Sequence, residues 1–126
     1  MPSNRNRRSV ILVIEDVEET RYGIKRLLTA SGYQVVTARD EEDAVLLARI
    51  RAPDLILMCL GLDAAHALPL TQRIRARARL SEKLPIVVFC DGDLREGAEE
   101  EAGYRVYLSS PENFDQIRAL VGRLLR

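Results

Sequence analysis

Short apolar runs alternate along the chain with longer segments whose apolar residues recur at helical spacing. The runs are Val10–Ile14, Gln34–Thr37, Leu55–Cys59, Pro85–Cys90 and Tyr104–Leu108. Their lengths suit β-strands, and three are nearly unbroken, as expected of central parallel strands covered on both faces. The segments between them are predicted helices. Ile24, Leu27, Leu28 and Ser31 repeat at helical spacing, and Gly32 supplies a stop. Asp40 can cap a second helix whose Ala44, Leu47 and Ala48 face inward. Pro53 follows it and precedes the third strand. Leu70, Ile74 and Ala78 give a third helix its stripe; Leu94, Ala98 and Ala102 predict a short fourth helix that Gly103 ends. Pro111 suits the first turn of a last helix, with Phe114, Ile117, Val121 and Leu124 as its buried stripe. This succession of β–α units predicts an α/β fold: a doubly wound five-stranded parallel sheet with helices on both faces.

The chain has 126 residues, the size of one domain. Residues 1–9 read as a flexible basic leader carrying Arg5, Arg7 and Arg8, and residues 10–126 as the domain itself. Lys plus Arg is 19 and Asp plus Glu is 19, a balance that argues against wholesale nucleic-acid binding, where excess basic charge supplies most of the affinity. No apolar run approaches the roughly 20 residues of a membrane helix, and no apolar signal-peptide core follows the Arg-rich start. A cytoplasmic protein is expected, with neither nucleic acid nor membrane as partner. Cys59 and Cys90 fit a reducing compartment and not a disulfide framework.

Sites in open parallel sheets lie beyond the carboxyl ends of the strands. The first run ends in Glu15-Asp16, with Glu18 and Glu19 close behind. Adjacent carboxylates repel unless a cation or basic group sits between them. The pair therefore reads either as a site for a hard cation such as magnesium or as a solvated mouth of the sheet. A nucleotide or flavin phosphate would want glycines and backbone N–H donors here, and four carboxylates oppose it.

At these residues the chain resembles the response-regulator receiver family. Ile11-Leu12-Val13-Ile14-Glu15-Asp16 is similar to the family's first strand and acidic pair, and Gly32-Tyr33-Gln34-Val35-Val36-Thr37-Ala38 to its second strand. Pro53-Asp54-Leu55-Ile56-Leu57-Met58 and Leu84-Pro85-Ile86-Val87-Val88 resemble the third and fourth. Ala102-Gly103-Tyr104 and Tyr107-Leu108-Ser109-Ser110-Pro111 resemble the fifth and its following turn. The likeness runs from about Val10 to the C-terminus and implies the flavodoxin-like strand order 2-1-3-4-5. It also implies a degenerate phosphorylation pocket made of Glu15, Asp16, Cys59, Cys90 and Ser110. Cys59 stands where the family has its phosphoacceptor aspartate, Cys90 where it has a hydroxyl residue, and Ser110 where it has a lysine. The loop Gly61-Leu62-Asp63-Ala64-Ala65-His66-Ala67 departs from the family's proline and glycine.

A thiol cannot form the acyl phosphate that an aspartate forms, and without the lysine nothing positive closes over a phosphoryl group. Glu15 and Asp16, with only a carbonyl at Gly61 to help, would hold magnesium weakly at best; no other cofactor is expected. Tyr107 takes the place of the family's switch aromatic, against the plainer reading of a Tyr packed on the sheet edge. The resemblance also points to a docking face around the fourth helix, here Glu96, Glu99 and Glu100 with Tyr104 and Arg105. The expectation is a non-enzymatic, phosphorylation-independent pseudo-receiver that acts on a signalling protein or on a second copy of itself. Two alternatives stay open. One is a relocated phosphoacceptor, Asp63 or Asp91; the other is a redox switch, because neighbouring strands at about 4.8 Å would allow Cys59 and Cys90 to pair. His66 reads as a solvated loop residue. Arg73, Arg75, Arg77 and Arg79 read as a solvated face or a basic patch for an acidic partner.

Overall fold

The computed structural model describes residues 8–90 and 94–126. The proposed leader falls mostly in residues 1–7 and Asp91 in residues 91–93, so both lie outside the described residues. The elements, in chain order, are β1 (Val10–Ile14), α1 (Glu18–Ala30), β2 (Gln34–Ala38), α2 (Glu41–Ile50) and β3 (Leu55–Met58). They continue as α3 (Ala64–Arg77), β4 (Ile86–Phe89), β5 (Glu99–Glu101), β6 (Val106–Ser109) and α4 (Phe114–Leu124).

The sheet is six-stranded, ordered β2-β1-β3-β4-β6-β5. All neighbours are parallel except β5, which runs antiparallel to β6 on the edge. Alternation along the strands sorts the core into two layers. Ile11, Val13, Leu55, Leu57 and Val87 meet Leu28 of α1 and Leu120 and Val121 of α4. Leu12, Ile14, Ile56, Ile86 and Val88 meet Ala44, Val45 and Ala48 of α2 and Ala67, Leu70 and Ile74 of α3. β1 and β3 are buried on both faces, so their near-continuous apolar sequence follows directly.

Three helices start at side-chain caps. Asp40, Asp63 and Asn113 each accept the backbone N–H three residues on, from Asp43, His66 and Gln116. Pro111 precedes the last helix instead of opening it, because Asn113 takes the cap. α2 and α3 are clamped by ions. Arg73 grips Glu41 with two bonds of 3.0 and 2.9 Å, and Arg77 reaches both Glu41 and Glu42. The basic stripe of α3 is thus spent largely inside the fold and is not a free patch.

The expected fourth helix is replaced. Among the described residues, 94–103 form turns and the edge strand β5. Two physical reasons stand out. Glu96, Glu99, Glu100 and Glu101 would stack like charges at helical spacing, and Gly97 would sit in the helix interior. Gly97 instead takes φ +87°, a left-handed turn, and a Cβ there would come within 2.8 Å of a Glu112 carboxylate oxygen. The chain folds back so that Ser110 donates its N–H to the Ala98 carbonyl at 3.0 Å. This antiparallel pairing is why the sheet has a sixth strand.

Candidate functional site

β1 runs directly into the acidic pair. Glu15 is only 6% exposed, whereas Asp16 is exposed. The Glu15 N–H donates to the Ala38 carbonyl at 3.0 Å, and its carbonyl accepts from Arg21 Nη1 at 3.0 Å. Its Oε2 accepts from the Val17 N–H, also at 3.0 Å. Burial raises the Glu15 pKa; the Val17 N–H opposes the rise, and the Asp16 side chain adds to it.

Cys59 follows β3 and its N–H donates to the Ile14 carbonyl at 2.8 Å, which fixes it beside Glu15. Burial, and then the neighbouring Glu15 charge, push its thiol well above the usual cysteine range. Burial therefore disfavours the thiolate, the form that acts as nucleophile or metal ligand. Glu15, Asp16 and Cys59 border one open hollow of about 320 Å³ with Thr20, Gly61 and Phe89.

Cys90 and Ser110 do not line that hollow. Cys90 packs in the layer under α2 and α3, while Cys59 packs in the layer under α1 and α4. Met58 pairs with Val88, so one residue further Cys59 lies beside Phe89, not beside Cys90. The two thiols point to opposite faces, and a disulfide would require backbone movement. Ser110 is held in the turn after β6, where its carbonyl accepts the Gly97 N–H.

The remaining candidates are more dispersed. Tyr107 is half-buried on the α1 and α4 face, and its hydroxyl accepts from Arg105 Nη1 at 3.2 Å. Asp63 is committed to the cap of α3, and its Oδ1 lies 2.6 Å from His66 Nδ1; His66 is thus a first-turn helix residue, not a loop residue. The five residues of the expected docking face do not share a helix. Glu96 and Glu100 are exposed; Glu99 is bound to Arg123 at 2.7 Å and Gln116 at 3.1 Å. Tyr104 and Arg105 sit at the far turn of the β5–β6 hairpin. Thr20 and Phe89 were not anticipated at the hollow. Strand alternation holds the signal for Phe89: it precedes Cys90 and so must face the other way.

The receiver-domain profile of response regulators matches residues 11–122. The chain belongs to the response regulator receiver domain family. This receiver domain is 30% identical over 104 residues to the polar-differentiation response regulator DivK of Brucella anthropi, covering 80% of this chain and 83% of DivK. It is 29% identical over 118 residues to the transcriptional regulatory protein AfsQ1 of Streptomyces coelicolor, covering 92% of this chain. The chain spans about half of AfsQ1, 51% of its length. Among solved structures it is similar to the receiver domain of the sensor histidine kinase PA1611 of Pseudomonas aeruginosa. The TM-score is 0.70 at 25% identity, with 94% of this chain and 98% of that one covered. That structure holds a magnesium ion coordinated in its active-site cleft. Receiver domains belong to two-component signalling, work with partners such as histidine kinases, and are generally signalling modules rather than enzymes. Among the described residues, no helix is long and apolar enough to cross a membrane.

Of the residues that line the hollow, Glu15 and Asp16 are the carboxylates. The ion prefers oxygen ligands and keeps its waters. Here two carboxylates, Glu15 and Asp16, supply oxygen, and Cys59 offers sulfur in place of a third. Among the described residues, no group of three or more His, Cys, Asp or Glu is arranged to hold a metal.

Proposed function

We propose that this receiver domain signals without phosphorylation, as a cytoplasmic pseudo-receiver that acts by binding another protein. The buried Cys59 thiol carries the reading, because by its resemblance to the family it stands where the phosphoacceptor aspartate is expected. Without an acceptor carboxylate no acyl phosphate forms. Without a lysine at Ser110 no cation is drawn over the pocket. With only Glu15 and Asp16 the magnesium that would neutralise an incoming phosphodonor is held weakly. A relocated acceptor has less support, since phosphorylating Asp63 would sacrifice the cap of α3.

The partner surface of this reading is the β5–β6 hairpin with α4, where Glu96, Glu100 and Tyr104 are exposed. The partner is a signalling protein or a second copy. If the domain switches at all, the partner must bind two of its conformations unequally. The amide NMR spectrum before and after addition of acetyl phosphate with magnesium tests the proposal. Resonances of Glu15, Asp16, Cys59 and Gly61 should not move. Shifts at these residues that spread to Tyr107 and Ser110 would overturn it.

A further inference from the structure

The two edges of the sheet differ in chemistry. β5 forms one edge with three glutamates, Glu99 to Glu101. Charge of one sign along an edge guards it against pairing with its own kind. β2 forms the other edge, Gln34-Val35-Val36-Thr37-Ala38, with no charge and no proline. The Gln34 N–H donates to the Ser9 carbonyl and the Ala38 carbonyl accepts from the Glu15 N–H, each at 3.0 Å. Alternate residues of a strand bond the same neighbour, so Gln34, Val36 and Ala38 turn their backbone groups to β1. Val35 and Thr37 turn theirs to the open edge. Among the described residues, these outward groups have no hydrogen-bond partner.

The flanks of this edge suit a second copy of it. On one face Val36, Leu47, Ala48 and Pro53 border an apolar hollow of about 210 Å³, with Ile50 at its rim and 74% exposed. On the other face Glu18, Tyr22 and Lys25 lie beside Thr37. Their spacing places them on one side of α1, and Tyr22 is 64% exposed. Among the described residues, neither Glu18 nor Lys25 has an ion-pair partner. The row therefore runs from acid through aromatic to base along the helix. A copy of the same row running the opposite way presents its base to this acid and its acid to this base.

We propose that a second copy of this chain pairs antiparallel with β2, edge to edge, about a twofold axis through Val36. In that register Val35 faces Thr37 of the second copy, and Thr37 faces Val35 of the second copy. Each such pair exchanges both of its N–H···O bonds, which uses every outward group of the strand. The contact is isologous, as a closed dimer requires. The two α1 helices run antiparallel on one face of the joined sheet, with the Lys25 end of each row toward the Glu18 end of the other. The glutamates of β5 keep the far edges from pairing in the same way, so association stops at the dimer. This contact is separate from the β5–β6 face and does not depend on the chemistry at Cys59.

Sedimentation equilibrium of the whole protein should show a monomer–dimer equilibrium at concentrations up to about 1 mM, as suits a small interface. Two cysteine substitutions, Val36→Cys and Gln34→Cys, then test the register. Val36 would face its own copy in a pair without hydrogen bonds, with Cα atoms about 4.5 Å apart. That lies within the roughly 4.4–6.8 Å that a disulfide spans. Gln34 would face Ala38 of the second copy, which leaves the two Gln34 residues about 13 Å apart along the strands. Mild oxidation with diamide should therefore link Val36→Cys into a dimer at least about tenfold faster than Gln34→Cys. Gln34 is exposed and Val36 half-buried, so chance collision would give the reverse order. Cys59 and Cys90 are buried, and the parent protein supplies the background. A monomer mass alone at about 1 mM would overturn the proposal, as would Gln34→Cys linking as fast as Val36→Cys.

Discussion

At the scale of single residues, the proposal rests on the end of β3. Cys59 and Ser110 are the departures that the resemblance implies, and burial beside Glu15 pushes the Cys59 thiol upward. Restoring the carboxylate makes a direct prediction. Cys59→Asp should lower stability by about 1–3 kcal/mol without metal, through a second buried carboxylate beside Glu15. Magnesium should recover that loss in the variant and leave the parent unchanged; melting curves with magnesium and with chelator check this. Glu15 supports a second prediction. Its folded-state pKa is raised above the ordinary 4.5, chiefly by burial, so the folded protein holds that proton more tightly than the unfolded chain. Its contribution is full below the unfolded value and is lost as pH rises through the folded one. Glu15→Gln retains an acceptor for the Val17 N–H and should be more stable at neutral pH by about 1 kcal/mol. That advantage should vanish below pH 4, as urea titrations across pH would show. The members of the hollow that escaped the sequence, Thr20 and Phe89, are ordinary residue types whose place depends on which face of a strand or helix they occupy. Residue identity alone carries no such information.

At the scale of elements, local sequence was a good guide where one face is buried and a poor one where charge and glycine compete with periodicity. The spacing of Leu94, Ala98 and Ala102 is helical, yet Gly97 and the glutamates around it produce a turn and an edge strand. Gly97→Ala separates the two outcomes by sign. In a helix interior the change would stabilise, by about 1 kcal/mol. At φ +87°, with Glu112 at 2.8 Å from the new Cβ, it should destabilise by about 1–3 kcal/mol in urea unfolding. The α2–α3 clamp was likewise hidden, because no sequence rule pairs Glu41 with Arg73 and Arg77 across 32 and 36 positions. Hydrogen bonds from Arg73 lead the lowering of the Glu41 pKa, with Arg77 adding to it. The clamp's contribution is therefore present above the ordinary carboxylate value and is lost as pH falls through the lowered folded value. Glu41→Gln should cost up to about 1 kcal/mol at neutral pH and less in high salt. The difference from the parent should close in acid.

At the scale of the whole molecule, the doubly wound order was legible because parallel strands buried on both faces must be apolar throughout and must alternate with helices. The added edge strand was not, since three consecutive glutamates, Glu99 to Glu101, have little strand character of their own and pair only because β6 is already in place. Three-dimensional arrangement also separates what strand adjacency had joined. Cys59 and Cys90 face different layers of the core, so mild oxidation of the folded protein should leave both thiols titratable after denaturation. The receiver scaffold is established, and the proposal that it is recognised rather than phosphorylated rests on the buried thiol of Cys59. The most direct measurement is the intact mass of the protein after incubation with acetyl phosphate and magnesium. This account predicts an unchanged mass. An adduct of one phosphoryl group, mapped to an aspartate, would contradict it.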